Sequence, residues 1–175
     1  RESSRYFPGF CTIEIRRVMV LRVRDFEIHR GYLHMDAQRN MVEALRRVMD
    51  TELEKNPTLM VFGEDVGPRG GVHRATLGLQ NKYGTRRVFD TSLSEEGIMG
   101  RAVGLALAGL RPLPEIQFRK YADPATEQIN DAGWIRWRTA GKFSAPVVMR
   151  VPVGYSKRTG DPWHSVSGEA IYAHT

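Results

Sequence analysis

The chain has 175 residues, of which 41% are hydrophobic and 26% charged; this suits one ordinary core, is short for two, and excludes a disordered or fibrous chain. No run approaches the roughly 18 apolar residues of a membrane-spanning helix, and a single cysteine, Cys11, excludes a disulfide scaffold and a cysteine-based zinc site. The formal net charge of +6, with a pI near 9.8, raises nucleic acid as a partner, yet residues 1–34 hold seven arginines against four acids and the remainder shows no Lys/Arg run longer than two.

Residues 1–34 read as an N-terminal extension of irregular pattern. Ile13 and Ile15, Val18 and Val20, and Phe26 and Ile28 alternate with period two, which allows one or two short strands. Met35 reads as a natural start for the domain at 35–175, and Glu169 to Thr175 as a helix cut short. From Asn40 the pattern sharpens. Asn40 with Glu43 three residues on resembles a capping box, and Val42, Leu45, Met49 and Leu53 make an amphipathic helix that Asn56-Pro57 stops. Leu59 to Phe62 is a buried-strand signal, and Gly63, Gly67, Gly70 and Gly71 mark a loop. A helix is expected from about Arg74 to Tyr83, with Gly84 as its stop.

Arg87 to Asp90 predicts a second strand. Ser94 caps a helix to about Ala108 that is rich in Gly and Ala and has little polar surface, so burial on nearly all sides is expected. Leu113 to Phe118 predicts a third strand. Asp123-Pro124 reads as an N-cap with proline at the first helical position, opening a helix to about Ala140. Pro146 to Arg150 predicts a fourth strand, followed by a polar loop from Val153 to Ser165 and a helix around Ser167 to Ala173. Alternating strands and helices predict an α/β fold with a parallel sheet and helices on both faces. Ligands then sit beyond the carboxyl ends of the strands, at the loops Asp90–Glu96, Gln117–Asp123 and Val151–Ser165.

Those loops carry the candidate chemistry. Glu95 and Glu96 open the small-residue helix, where they either complement its dipole or place one carboxyl group in an apolar cleft with a raised pKa. His164, in Asp161-Pro-Trp-His-Ser165, is either a loop histidine bonded to local backbone or an acid, base or substrate contact. Gln117 and Tyr121 end the third strand, where alone they read as an amide and a rim aromatic. The four loop glycines fit neither the P-loop nor the dinucleotide fingerprint, and read mainly as turn residues. Trp134 and Trp137, interleaved with Arg136 and Arg138, suit helix packing or a subunit interface better than base stacking. No set of residues reads as a metal site.

Gly63-Glu-Asp-Val-Gly67, Val88-Phe-Asp-Thr91, Ser94-Glu-Glu-Gly-Ile98, Gly109-Leu-Arg-Pro112, Glu115-Ile-Gln-Phe118, Pro146-Val-Val-Met-Arg150 and His164-Ser165 occur together in an order that resembles the beta subunits of thiamine-diphosphate-dependent 2-oxo acid dehydrogenases. The resemblance covers about Met41 to Thr175 and is to the transketolase-like pyrimidine-binding domain, with the C-terminal transketolase domain absent from this sequence. It implies that Glu95, rather than Glu96, bonds N1′ of the aminopyrimidine and favours the imino tautomer, whose 4′ nitrogen takes the C2 proton. The cofactor ring then acts as an electron sink while CO₂ leaves. It places Tyr121 against the aminopyrimidine, with Gln117 nearby, and gives His164 a substrate or acyl-transfer role.

The same resemblance implies an alpha subunit that holds the diphosphate and Mg²⁺, an α2β2 heterotetramer, and a lipoyl acyltransferase as the next partner. It implies a chain inactive alone, placed in the bacterial cytoplasm or the mitochondrial matrix, with no nucleic acid or membrane partner. The substrate is a branched-chain 2-oxo acid, with pyruvate or another transketolase-like reaction as alternatives. A non-catalytic fragment and a basic nucleic-acid-binding domain are the readings of a different class. Two positions depart from the family pattern: Ser92 stands where proline is common, and Asp-Pro-Trp-His-Ser replaces the commoner Tyr-His-Ser-Gln.

Overall fold

The computed structural model describes residues 40–154 and 163–173. The strands expected within 1–34, and most of the polar loop after Val153, lie outside them. Helix α1, Met41–Lys55, begins as its sequence dictates, with the Asn40 side chain accepting the Glu43 N–H at 3.0 Å. It buries Met49 and Leu53, with Val42 and Leu45 packed beside them.

The end of α1 is tied to the sheet by one side chain. Arg87 donates to the carbonyls of Leu59 at 2.6 Å, Asn56 at 2.6 Å and Leu53 at 3.1 Å, so a single guanidinium joins the last turn of the helix, where carbonyls run short of N–H partners, to the segment that follows it. Replacing it by an apolar stem of similar length, Arg87→Met, is expected to cost about 2 kcal/mol, the range for a hydrogen bond to a charged group. Urea unfolding checks this; an unchanged midpoint would mean that water serves the carbonyls equally well.

Strand β1, Leu59–Gly63, is central. It pairs in parallel with β2, Val88–Asp90, on one side and with β3, Arg111–Glu115, on the other, in the order β2-β1-β3. Leu59 and Val61 join Met49, Leu53, Val88 and Leu79 of α2 (Leu79–Tyr83) in one apolar cluster. Phe62 enters a second cluster with Ile98, Met99 and Ala102 of α3 (Glu95–Leu107) and Ile129 of α4 (Thr126–Arg138), together with Ile116 and Met149. Period-two alternation along β1 therefore feeds two cores, one on each face of the sheet. The expected α/β fold, with a parallel sheet between helices, is the fold observed.

Local expectations differ from the structure at several points. The segment Pro146–Arg150 lies beside β3, with the Val148 N–H on the Pro112 carbonyl at 3.2 Å and the Arg150 N–H on the Pro114 carbonyl at 2.9 Å. It forms only one ladder bridge, Glu115 to Arg150. Pro112 and Pro114 have no N–H to return, so this edge of β3 cannot complete a regular ladder. The helix expected over 74–83 is a 3-10 turn, Val72–Arg74, followed by the short α2. Positive φ at His73, Arg74 and Gly78 breaks the path between them.

The helix expected to open at Asp123-Pro124 starts at Thr126, after a 3-10 turn Arg119–Ala122. Asp123 does not cap it, because its carboxylate binds Arg119 at 2.5 Å and Lys120 at 2.9 Å. The last expected helix is a 3-10 turn, Glu169–Ala173. Helix α3 is not buried all round. Ile98, Met99, Ala102 and Ala106 are buried, whereas Gly97, Arg101, Gly104 and Leu107 are exposed. The glycines on that side offer no side chain for a neighbouring element to cover.

Candidate functional site

The carboxyl ends of the strands converge on the loop that follows β1. Gly63 has φ 155°, and a Cβ there would lie 2.5 Å from the Glu115 carbonyl oxygen, so the chain passes β3 at a distance only glycine allows. Below this loop lies a buried ion pair. The Glu115 carboxylate binds the Arg150 guanidinium and accepts the Val72 N–H at 2.7 Å, and Arg150 donates to the Val72 carbonyl at 3.2 Å. Both side chains are buried. Gly71, with φ 67°, closes over the pair, and a Cβ there would sit 2.7 Å from the Glu115 carboxylate. The other flank is held by the Gly67 N–H on Asp90 at 2.6 Å and the Thr91 N–H on the Gly63 carbonyl at 3.0 Å.

Glu95 is the first residue of α3, behind a Ser94 cap that accepts the Gly97 N–H at 3.2 Å. It is half-buried, whereas Glu96 is exposed. Across from it stands Glu64, at the exit of β1. Burial pushes the Glu64 carboxyl group above its ordinary range, and the charges of Glu95 and Asp65 push it further. In the sequence Glu64 stands within a motif without a role of its own; its signal there is an acid directly after a buried strand at the ligand edge. Just after β2 the Thr91 hydroxyl is buried without a hydrogen-bond partner, an orphaned polar atom of the kind a ligand satisfies.

At the exit of β3 the structure brings two of the expected residues into contact. The Tyr121 hydroxyl lies 3.1 Å from Nε2 of His164. Phe118 packs edge-on against both rings, with centroids 4.7 Å from His164 and 5.9 Å from Tyr121. In the sequence Phe118 reads only as the end of a strand. Gln117, half-buried between Ile116 and Phe118, shares the β3 exit with Tyr121, whereas Glu95 follows β2. Trp134 and Trp137 are exposed on α4. A separate concavity of about 270 Å³ lies between α1 and α2, lined by Arg46, Arg47, Asp50, Leu77 and Lys82 among others, and contains none of the candidate residues. Among the described residues no cluster of His, Cys, Asp or Glu is arranged to hold a metal ion, and no helix is long and apolar enough to cross a membrane.

The family model of the transketolase pyrimidine-binding domain matches residues 37–175. The chain belongs to this family. The pyrimidine-binding domain is 50% identical over 133 residues to the 2-oxoisovalerate dehydrogenase subunit beta of Pseudomonas aeruginosa, covering 75% of this chain and 38% of that protein. It is 46% identical over 133 residues to the pyruvate dehydrogenase E1 component subunit beta of Acholeplasma laidlawii, covering 75% and 40%. It is 45% identical over 138 residues to the mitochondrial 2-oxoisovalerate dehydrogenase subunit beta of Dictyostelium discoideum, covering 78% and 37%. The chain thus spans about two fifths of the length of these relatives.

The residues of this pyrimidine-binding domain fit the aminopyrimidine of thiamine diphosphate. A carboxylate at a helix start and an orphaned buried hydroxyl follow β2, and an aromatic ring follows β3, groups that suit a flat heterocycle with ring nitrogens and an amino group.

Proposed function

We propose that this chain is the pyrimidine-binding part of the beta subunit of a 2-oxo acid dehydrogenase, acting on a branched-chain 2-oxo acid. The observation that carries the reading is the 50% identity to a 2-oxoisovalerate dehydrogenase subunit beta; the Tyr121–His164 contact and Glu95 at the start of α3 support it. Thiamine diphosphate, when bound, supplies the electron-accepting ring that lets a 2-oxo acid lose CO₂.

The chain's own residues do the rest. Glu95 holds a proton at N1′ of the aminopyrimidine, and Glu64, raised by burial and by the charge of Glu95, keeps a second carboxyl group nearby. Tyr121 and Gln117 orient the ring. His164 meets the acyl group on its way to lipoamide. An alpha subunit holds the diphosphate and Mg²⁺ in an α2β2 assembly that hands the acyl group to a lipoyl acyltransferase, so this chain is inactive alone. The compartment is the bacterial cytoplasm, or the mitochondrial matrix if the source is eukaryotic.

A second reading, pyruvate as substrate, is favoured by the 46% identity to a pyruvate dehydrogenase subunit. The test co-expresses the gene, extended to its natural end, with its alpha-type partner. Decarboxylation of 3-methyl-2-oxobutanoate and of pyruvate is then followed with thiamine diphosphate, Mg²⁺ and an artificial electron acceptor. The expected result is a higher kcat/KM for the branched acid. A preference for pyruvate selects the second reading, and no turnover of either acid by a well-formed complex overturns both.

A further inference from the structure

We propose that Tyr121 is a positioning residue for His164: its hydroxyl, 3.1 Å from Nε2, sets the plane and placement of the imidazole. The proposal rests on the reading above, in which His164 meets the acyl group. An imidazole on a loop has a free ring torsion and two neutral tautomers. Here two side chains, Tyr121 and Phe118, restrict the ring torsion. The Tyr121 hydroxyl engages Nε2, and Phe118 and Tyr121 both stand edge-on to the ring, at interplanar angles of 80° and 86°, the arrangement aromatic rings favour.

The backbones on both sides are held as well. Lys120 lies over the Trp163 ring at 5.9 Å and Arg119 over the Tyr172 ring at 5.3 Å, contacts that cation–π attraction stabilises. Three successive residues of one 3-10 turn, Arg119, Lys120 and Tyr121, thus each grip the segment that carries His164. The departure Pro-Trp-His-Ser gains a use here, since Trp163 supplies the ring that Lys120 covers.

The test uses the assembled enzyme and Tyr121→Phe, which keeps the ring and deletes the hydroxyl. Carbethoxylation of His164 by diethyl pyrocarbonate, read by peptide mass mapping, is expected to run about 3- to 10-fold faster in the variant, as loss of one ordinary hydrogen bond implies. Acyl transfer to lipoamide is expected to fall by a similar factor while His164 is present, and Tyr121→Phe is expected to add no loss in a His164→Asn background. An unchanged labelling rate overturns the proposal, as does the same loss in both backgrounds, which would place the hydroxyl's effect elsewhere. If the enzyme transfers no acyl group at all, the functional reading fails while the labelling still decides whether Tyr121 holds His164.

Discussion

Arg150→Met is expected to be the most destabilising single change in this domain, at about 3–5 kcal/mol. The substitution keeps an apolar stem of similar length but leaves the Glu115 carboxylate buried and unpaired, the situation in which breaking a buried ion pair costs most. It also removes the donor to the Val72 carbonyl. Replacing both partners by apolar residues does not fully restore the loss, because the Val72 N–H then loses its acceptor.

The pH dependence of that deficit has a definite sign. Burial raises the Glu115 pKa above 4.5, against the lowering effects of Arg150 and of the Val72 N–H. A carboxyl group with a raised folded pKa favours the native state in its protonated form; that contribution is full below 4.5 and is lost as pH rises through the folded value. Removing Arg150 deletes the largest lowering influence, so the folded pKa climbs further and more stability is lost by neutral pH. Urea unfolding of the parent and Arg150→Met is therefore expected to show a gap that narrows toward about pH 4.5 and widens toward about pH 8. A gap independent of pH would show that the carboxylate finds another partner.

Glu95→Gln is expected to have the largest effect on activity. The amide preserves size and much of the hydrogen bonding but cannot exchange a proton with N1′, so kcat in the assembled enzyme is expected to fall about 10²- to 10⁴-fold, the usual worth of a positioned acid or base. A second readout is independent of turnover. The charge of Glu95 is one of the causes that raise Glu64, so the Glu64 carboxyl resonance is expected to titrate at lower pH in the variant. Activity within a few-fold of the parent would remove Glu95 from proton transfer. An unmoved Glu64 titration would show that the two carboxyl groups do not sense one another.

Local patterns in the sequence marked the parts of the fold that depend on near neighbours. The cap and the spacing of three and four residues are visible for α1, the Ser94 cap for α3, and apolar runs ending in glycine or aspartate for β1 and β2. What was not legible depends on distant parts of the chain. Nothing in the side chains of His73 and Arg74 announces left-handed backbone; the packing of Val72 on Glu115 and Arg150 accompanies it. Pro112 and Pro114 were in view, but their effect on the fourth strand emerges only once it is known which edge of β3 faces that strand. Asp123 was a reasonable cap until two cations from the preceding turn took its oxygens. At the site, Glu95, Tyr121 and His164 followed from family resemblance rather than from pattern. Glu64 needed the fold, because its altered ionisation arises from burial and from an acid on another strand exit.

The strand-edge site draws on four stretches of chain, 63–72, 90–95, 116–121 and 163–164, that meet only when the sheet is complete. A partly folded chain therefore holds no partial site, and affinity at this edge is a property of the native state alone. Any molecule that binds there acts as a folding cofactor as much as a reagent: at a hundred times its Kd it adds about 2.7 kcal/mol to the stability of the domain. Such linkage makes melting temperature a direct assay of occupancy, and it makes supply of the ligand a determinant of how long the subunit survives in the cell.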